Sequence, residues 1–271
     1  MFLVAAAELQ KQYMSADQIT VSKHTAYRVK DAINDVADEK YEKNYTLIAD
    51  YLDQLRRLNA GSHTNYQLEP GTNKFKRYFY SLGVMAKVAT KACITVVQMD
   101  AAHSKHRKYN GCVFVLEGAD GDGKNVILAI GLAPKENNEN YDWFVGHCKQ
   151  SGLGEWLDQT DQSIITDRHN GIPHACETFL KSVKHVNCMH HLIDNMRTAG
   201  LGTFLDDDIY HVQKAEHAPL FNSRMDALRE KNAKVAEYLA RIPADKWAVH
   251  AIGRALFGHR TSNRVESENS R

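Results

Sequence analysis

Between residues 93 and 191, strand-type and helix-type segments follow one another in an order that strongly constrains the fold. The segment "ACITVVQMD" has the β-branched content of a strand. "GCVFVLEGADGDGKNVILAIGLAP" predicts two strands joined by a hairpin at Asp-Gly-Asp-Gly. After it come a helical "ENYDWFVGHCKQSGL", a strand "QSIITD", a helical "GIPHACETFLKSV" and a short strand "KHVNCMHHL" that runs into a further helix. The order β-β-β-α-β-α-β-α predicts a mixed α/β sheet.

The segments on either side of this core have helical patterns. We expect a helical N-terminal region over residues 1–92, the core over 93–195 and a helical insertion over 196–258. Within the insertion, "NSRMDALREKNAKVAEYLARIP" predicts one amphipathic helix that ends at a proline. The apolar residues on its buried face are Met225, Leu228, Val235 and Leu239.

Composition excludes several classes of protein. The formal net charge is +1, so the chain is not a polycation and a nucleic-acid surface must be a local patch. The five cysteines have no paired spacing, which indicates reduced intracellular thiols rather than a disulfide framework. No apolar run approaches the ~20 residues of a membrane span, and "MFLVAAAELQ" lacks the features of a signal peptide. We therefore expect a soluble intracellular protein without a membrane partner.

Two strands of the predicted core end on an aspartate. "ITVVQMDAAH" contains Asp100 and "SIITDRHNGI" contains Asp167. In a β-β-β-α-β sheet the first strand is central and the fourth lies beside it, so the two side chains would meet. Two neighbouring carboxylates repel each other unless a cation neutralises them, and sites rich in carboxylate oxygen suit Mg²⁺ or Mn²⁺. From spacing alone, two unrelated turn aspartates are the simpler interpretation.

The C-terminal "TSNRVESENSR" offers a third acid. Asn263, Glu266 and Asn269 are spaced three residues apart and lie on one face of a helix. Glu268 is rotated by ~200° from Glu266, so only one of the two can face a site. The two amides that flank Glu266 favour Glu266 as the residue that points inward.

With these segments in this order, the chain resembles the transposases of Mutator-like elements (MULE). The motifs that carry the resemblance are "DAAHSKHRKYNG", "ENYDWF", "IITDRHNGI", "CMHHL" and "TSNRVESENS". The likeness is strong over residues 94–195 and returns over 259–270. It implies an α/β, ribonuclease-H-like mixed sheet, with an N-terminal helical region and an all-helical insertion before the last catalytic helix.

The resemblance also implies a chemistry. Asp100, Asp167 and Glu266 correspond to a catalytic, metal-binding triad that holds two Mg²⁺ or Mn²⁺ ions during DNA cleavage and strand transfer. The implied partners are DNA, as transposon ends and target, and further copies of the chain in a homo-oligomer, and the implied location is the nucleus. Residues 259–271 would be the start of the last catalytic helix, which we expect to be truncated because the family continues further past this glutamate.

Residues beside the acids are candidates for DNA binding or support. A charge run is usually a solvated face, but basic residues next to all three acids favour phosphate contacts. The candidates are His103, Lys105, Arg107, Arg168, Arg260, Asn263 and Asn269. We interpret Trp143 and Trp247 as core residues rather than base-stacking residues.

Cys188 and His191 match the Cys-x-x-His motif of the family. A structural zinc site normally has four ligands, and no second close pair of ligands occurs in the sequence. We therefore interpret the pair as a packing or active-site-orienting feature, without zinc.

Two other functions fit the same residues. The chain lacks the Cys/His array with which such transposases recognise terminal repeats, so a domesticated, catalytically inactive protein that binds DNA or regulates is one alternative. A structural zinc-containing interaction domain is the other. Metal-dependent nicking of DNA would distinguish the first alternative from a transposase, and metal analysis of the purified protein would reveal the second.

Overall fold

The chain divides into two compact units, Met1–Tyr51 and Leu52–Arg271. The computed structural model describes residues 22–25, 27–29, 44–104, 109–168, 171–201 and 205–262. In the first unit, residues 23–25, 27–29 and 44–46 are helical. The sheet and the contacts described below belong to the second unit.

A seven-stranded mixed sheet forms the centre of the second unit. Its strands are β1 (His63–Leu68), β2 (Phe75–Ser81), β3 (Cys93–His103), β4 (Cys112–Asp120), β5 (Asn125–Ala133), β6 (Ser163–Thr166) and β7 (Lys184–Asn187). They lie side by side in the order β1-β2-β5-β4-β3-β6-β7. β3 pairs with β4 in antiparallel and with β6 in parallel orientation. The prediction that the first core strand is central and the fourth lies beside it is therefore confirmed.

Helices connect and cover these strands. They are α1 (Ile48–Leu58), α2 (Gly83–Ala92), α3 (Asn138–Gln150), α4 (Gly154–Leu157), α5 (Gly171–Phe179), α6 (Met189–Thr198), α7 (Asp206–Gln213), α8 (Ala218–Lys231), α9 (Ala233–Ala240) and α10 (Val249–Ile252), with a 3-10 turn at Ala244–Lys246. From β3 to α6 the order of strands and longer helices is the predicted one. Among the described residues, no helix combines the length and apolar character that a membrane span requires.

The two faces of the sheet have separate cores, because successive side chains of a strand point to opposite faces. On one face, Val97 and Met99 of β3 pack with Ile164 of β6 and with residues of α3 and α5. Tyr141 and Phe144 of α3 are fully buried in this core. The predicted helix α3 and its apolar face are therefore confirmed.

The opposite face of the parallel strands is covered by the end of the chain. Val96 of β3, Ile165 of β6 and Val186 of β7 form a second cluster with Ile252 and Leu256. The segment that follows α10 therefore packs directly on the strands that carry Asp100 and lead to Asp167.

The prediction that residues 1–92 are helical is wrong for residues 63–81, which contain β1 and β2 at one edge of the sheet. β2 alternates between buried and partly exposed residues, as expected of a strand with one covered face. Phe79 is fully buried and its ring centroid lies 5.6 Å from that of Phe144. The helical pattern of the flanking segments obscured this short period-two signal. As a division into domains, the four predicted regions stay a prediction.

The insertion is helical where the structure describes it, and α7 to α9 share an apolar core with α6. The four side chains predicted to be buried, Met225, Leu228, Val235 and Leu239, are buried. The predicted single helix is wrong, however, because the chain breaks at Asn232 between α8 and α9. Asn232 Oδ1 accepts a hydrogen bond from the Val235 N–H at 3.2 Å, and its Nδ2 donates to the Leu201 carbonyl at 3.0 Å. An asparagine side chain competes with the backbone in this way and favours a cap over a helix interior.

We expect Asn232→Ala to lower the free energy of unfolding by about 1–2 kcal/mol, because it removes the cap of α9 and the bond to Leu201. Urea denaturation followed by circular dichroism measures the change. Glu230→Ala, at an exposed position two residues earlier, is the control and should change the value by less than about 0.5 kcal/mol. Equal effects of the two substitutions would show that the break is held by packing and not by this side chain.

Candidate active site

Asp100 and Asp167 lie at neighbouring positions of adjacent parallel strands. Asp100 belongs to β3 and is 7% exposed, and Asp167 is the first residue after β6. The register pairs Gln98 with Ile165, so its continuation places Asp100 level with Asp167. Although the two residues are far apart in sequence, the strand adjacency predicted for them is confirmed.

The alternation of side chains assigns both acids to one face of the sheet. Asp100 is in phase with Val96 and Gln98, and Asp167 is in phase with Ile165. This is the face covered by the end of the chain, where Gln98 Nε2 lies 3.2 Å from His259 Nδ1. The chain therefore runs towards the predicted third acid across the same face. Glu266 itself lies outside the described residues, as do Asn263 and Asn269.

The turn after Asp167 is followed by a close approach of two helices. A Cβ atom on Gly171, the first residue of α5, would lie 2.7 Å from Tyr141 Cδ2 of α3. Atoms at that distance clash, so a glycine is needed for α5 to begin against α3 directly after the turn. The glycine in "SIITDRHNGI" thus helps to bring the end of β6 next to Tyr141.

Tyr141 is a site residue that the sequence analysis missed. Its side chain is fully buried and its hydroxyl donates a hydrogen bond to Glu136 Oε1 at 2.7 Å. Burial raises the pKa of Tyr141, and the negative charges of Glu136, Asp167 and Asp100 raise it further. The phenol therefore stays protonated close to both aspartates. The motif "ENYDWF" could have identified Tyr141, because it places one hydroxyl on the otherwise apolar face of α3.

The Cys188-x-x-His191 pair lies at the end of β7 and in the first turn of α6. A hydrogen bond to Cys188 raises the pKa of His191 to about 9, and the charges of Asp100 and Asp167 contribute to the increase. Burial acts to raise the pKa of the Cys188 thiol, but hydrogen bonds from His191 and Ser262 lower it below its ordinary value. The hydrogen bond between Cys188 and His191 therefore stabilises the protonated imidazole, and the charges of the two aspartates act in the same direction.

The predicted supporting residues are in different environments. His103 ends β3 with a side chain that is 70% exposed, and its Nε2 lies 3.8 Å from Glu136 Oε2. Arg168 Nη1 donates to the hydroxyl of Tyr238 in α9 at 3.1 Å, so this arginine connects the strand end to the insertion. The backbone carbonyl of Arg260 accepts a hydrogen bond from the first residue of α6. Lys105 and Arg107 lie outside the described residues.

The donor set at the strand ends fits a hard divalent cation, because carboxylate oxygens are the ligands that Mg²⁺ and Mn²⁺ prefer. Asp100 is buried in β3, and Asp167 is partly buried directly after β6. Both side chains carry such oxygens. In the part of the chain that the structure describes, no group of three or more His, Cys, Asp or Glu side chains could hold a metal ion. The predicted third ligand, Glu266, is not in that part.

Three comparisons relate the chain to known proteins. Residues 96–195 match the MULE transposase domain family. No curated protein matches the chain. Among solved structures, an intasome of simian T-cell lymphotropic virus in complex with PP2A regulatory subunit B56 gamma is 14% identical, with a TM-score of 0.25 over 54% of this chain and 47% of that chain. This chain thus spans about half the length of that relative.

The catalytic core domain of HTLV-2 integrase in complex with magnesium gives further matches. The trimeric form is 19% identical, with a TM-score of 0.24 over 51% of this chain and 85% of that chain. The dimeric form is 15% identical, with a TM-score of 0.22 over 52% and 90% of the two chains. The segment of this chain that holds both aspartates, the buried tyrosine and the Cys188-x-x-His191 pair is the segment that matches the MULE transposase domain.

Proposed function

We propose that this chain is the catalytic domain of a MULE-type DNA transposase, which cleaves DNA and transfers strands during transposition. The observation that carries the proposal is the adjacency of Asp100 in β3 and Asp167 directly after β6, within the segment that matches the MULE transposase domain. The prediction that the first strand ends at Asp100 is wrong, because β3 continues to His103. The order β5-β4-β3-β6-β7, with three antiparallel strands followed by two parallel ones, supports a ribonuclease-H-like core.

Asp100, Asp167 and Glu266 are the residues that would hold two Mg²⁺ or Mn²⁺ ions. The chemistry that two such ions supply is activation of a water or 3′-hydroxyl and stabilisation of the leaving oxygen in an in-line phosphoryl transfer. The carboxylates orient the phosphate by fixing the position of the cations, and they need the cations because their own charges repel each other.

The residues around the acids hold their positions and contact the substrate. Tyr141 and Glu136 form a hydrogen-bonded pair, and the charges of both aspartates act on the Tyr141 phenol. Arg168 connects the site to α9, so the helical insertion would border the DNA channel.

The substrate and partners follow from the same proposal. Contacts from Arg168 and Arg260 to phosphates would give binding that depends on salt and carries little sequence information. We propose that the DNA comprises transposon ends and target, that the active form is a homo-oligomer, and that the protein acts in the nucleus.

Replacement of the third acid tests the proposal. We expect Glu266→Gln to reduce Mn²⁺- or Mg²⁺-dependent nicking of supercoiled DNA by about 10²-fold, to the limit of detection, because it removes a ligand charge without changing side-chain volume. DNA affinity, measured by fluorescence anisotropy, and the melting temperature should change little. Glu268→Gln is the matched control, since in the helix predicted from the sequence its side chain would be rotated by ~200° from that of Glu266, and it should retain activity.

Each other outcome has a definite meaning. A larger loss of activity with Glu268→Gln than with Glu266→Gln would show that Glu268, and not Glu266, is the catalytic glutamate. If the wild-type protein binds DNA but nicks it with neither Mg²⁺ nor Mn²⁺, the transposase function is wrong and a DNA-binding or regulatory function is favoured. One equivalent of zinc in the purified protein would instead favour a zinc-containing interaction domain.

A further inference from the structure

The segment from Arg254 to Ser262 is attached to the parallel side of the sheet at several points. The Arg254 guanidinium donates to the backbone carbonyls of Gln162, just before β6, and of Ser182, just before β7. Further along, His259 contacts Gln98 of β3 at 3.2 Å. The segment therefore crosses the sheet from the beginning of β6 and β7 towards the end that carries the two aspartates.

The last attachment is made by the Cys-x-x-His motif. The Ser262 N–H donates to Cys188 Sγ at 3.2 Å, and Ser262 Oγ lies 3.4 Å from His191 Nδ1. The Met189 N–H donates to the Arg260 carbonyl at 3.0 Å. Cys188 and Ser262 are both fully buried, so water does not compete for these bonds.

The same cysteine is bonded to the strand that leads to the second aspartate. The Cys188 N–H donates to the carbonyl of Thr166 at 2.7 Å, and Thr166 is the residue immediately before Asp167. A continuous path of hydrogen bonds thus runs from the end of β6, through Cys188, to Ser262. Glu266 follows Ser262 by four residues in the sequence.

We propose that Cys188 and His191 are positioning residues that hold Ser262 at a fixed place relative to Asp167, and that the catalytic role proposed for Glu266, four residues further along the sequence, depends on this attachment. We call the contacts of Ser262 with Cys188 and His191 the Ser262 clamp. The inference rests on the proposed function for its catalytic consequence. The clamp itself is a property of the fold and can be tested without catalysis.

The surroundings of Cys188 distinguish a clamp from simple packing. Cys148 of α3 is also buried, but its surroundings are apolar, and burial raises the pKa of its thiol. The sulfur of Cys188 instead accepts hydrogen bonds that lower its pKa. Cys188 therefore holds Ser262 through directional hydrogen bonds, which packing alone does not provide.

Hydrogen–deuterium exchange of the full chain tests the clamp directly. Cys188→Ala removes the acceptor, and we expect protection of the peptide containing the Ser262 amide to fall about tenfold, which is the loss of about 1.4 kcal/mol from one buried hydrogen bond. Cys188→Asp supplies an anionic acceptor and should restore protection to within a few-fold of the wild type. Cys148→Ala is the control and should leave this peptide unchanged. Unchanged protection in Cys188→Ala would overturn the proposal.

Cleavage kinetics test the catalytic consequence. Misplacement of a reacting group by about 1 Å can cost about 10²-fold in rate, so Cys188→Ala and His191→Ala should lower kcat by roughly 10–100-fold. Because positioning does not involve the bound DNA, Kd should stay the same, and Cys188→Asp should recover most of kcat. A buried cysteine that only packs would respond in the opposite order, since an aspartate is harder to bury than an alanine.

The two proposals can fail separately. If exchange follows the expected order but the wild-type protein does not cleave DNA, the clamp stands and the transposase function is wrong. If His191→Ala weakens DNA binding and leaves kcat and the exchange of the Ser262 peptide unchanged, His191 is a phosphate contact and the clamp is wrong. Equal effects of Cys188→Ala and Cys188→Asp on exchange would also overturn the clamp.

Discussion

Asp100→Asn is expected to reduce metal-dependent DNA cleavage by about 10³-fold or more, which corresponds to a loss of at least about 4 kcal/mol of transition-state stabilisation. Asp100 lies on the central strand and is 7% exposed, so neighbouring water cannot readily replace its carboxylate as a ligand. The asparagine has nearly the same volume and should fold normally. Single-turnover nicking with Mn²⁺ measures the effect.

The same substitution should change how stability responds to metal. A cation that binds only the folded protein raises the melting temperature as its concentration rises, and the wild type should show this increase with Mn²⁺. Asp100→Asn should lose most of the increase, and its stability without metal should change little, because the lost repulsion from Asp167 and the lost attraction to His191 oppose each other.

Asp161→Asn is the matched control for both measurements. Asp161 is exposed and precedes β6, at the end of the strand opposite to Asp167. It should retain both cleavage and the metal-dependent increase in melting temperature. Loss of activity in Asp161→Asn comparable to that in Asp100→Asn would mean that overall negative charge, and not a local site, is required.

Trp247→Ala is expected to lower the free energy of unfolding by about 3–5 kcal/mol, the usual range for truncation of a large buried aromatic residue. Trp247 is 1% exposed, its indole N–H donates to the Ile242 carbonyl at 3.3 Å, and its ring centroid lies 5.6 Å from that of Phe221. Truncation leaves a cavity and an unpaired carbonyl in the core that the insertion shares with α6. Urea denaturation measures the change.

Phe257→Ala provides the comparison, because Phe257 is 57% exposed and also loses an aromatic ring. It should change the free energy of unfolding by less than about 0.5 kcal/mol. The burial of Trp247 agrees with the interpretation of this residue as core. If Trp247→Ala were no more destabilising than Phe257→Ala, the insertion core would not be required for the stability of the fold.

The sequence was sufficient to predict the strand order around the site. β-Branched runs and the Asp-Gly-Asp-Gly turn predict β3 to β5 from local signals, and alternation of helix and strand predicts β6 and β7. Because the topology then has few solutions, the adjacency of Asp100 and Asp167 could be derived without a structure. Glu266 lies outside the described residues, and its role stays a prediction.

Other features depend on contacts that leave no local pattern. β2 pairs with β5 through Tyr78 and Leu132, a partner far along the chain, and its own alternation is only seven residues long. The hydrogen bond between Cys188 and Ser262 joins residues 74 positions apart. The sequence around either residue does not predict this contact. Asn232 could have predicted the break between α8 and α9, because asparagine is a frequent helix cap. The apolar residues at helical spacing on both sides of it instead favoured one continuous helix.

The central position of β3 has a consequence for the order in which the molecule folds. β3 reaches β4 through a short connection, whereas β6 lies beyond β4, β5 and α3 in the chain, and the entropy lost in closing a loop grows with its length. During synthesis, the antiparallel strands can therefore assemble while β3 is still an exposed edge. An edge strand is prone to pair with other chains, and a charged side chain that points from it discourages such pairing. Until β6 is in place, the carboxylate of Asp100 would therefore disfavour pairing of this edge with other chains.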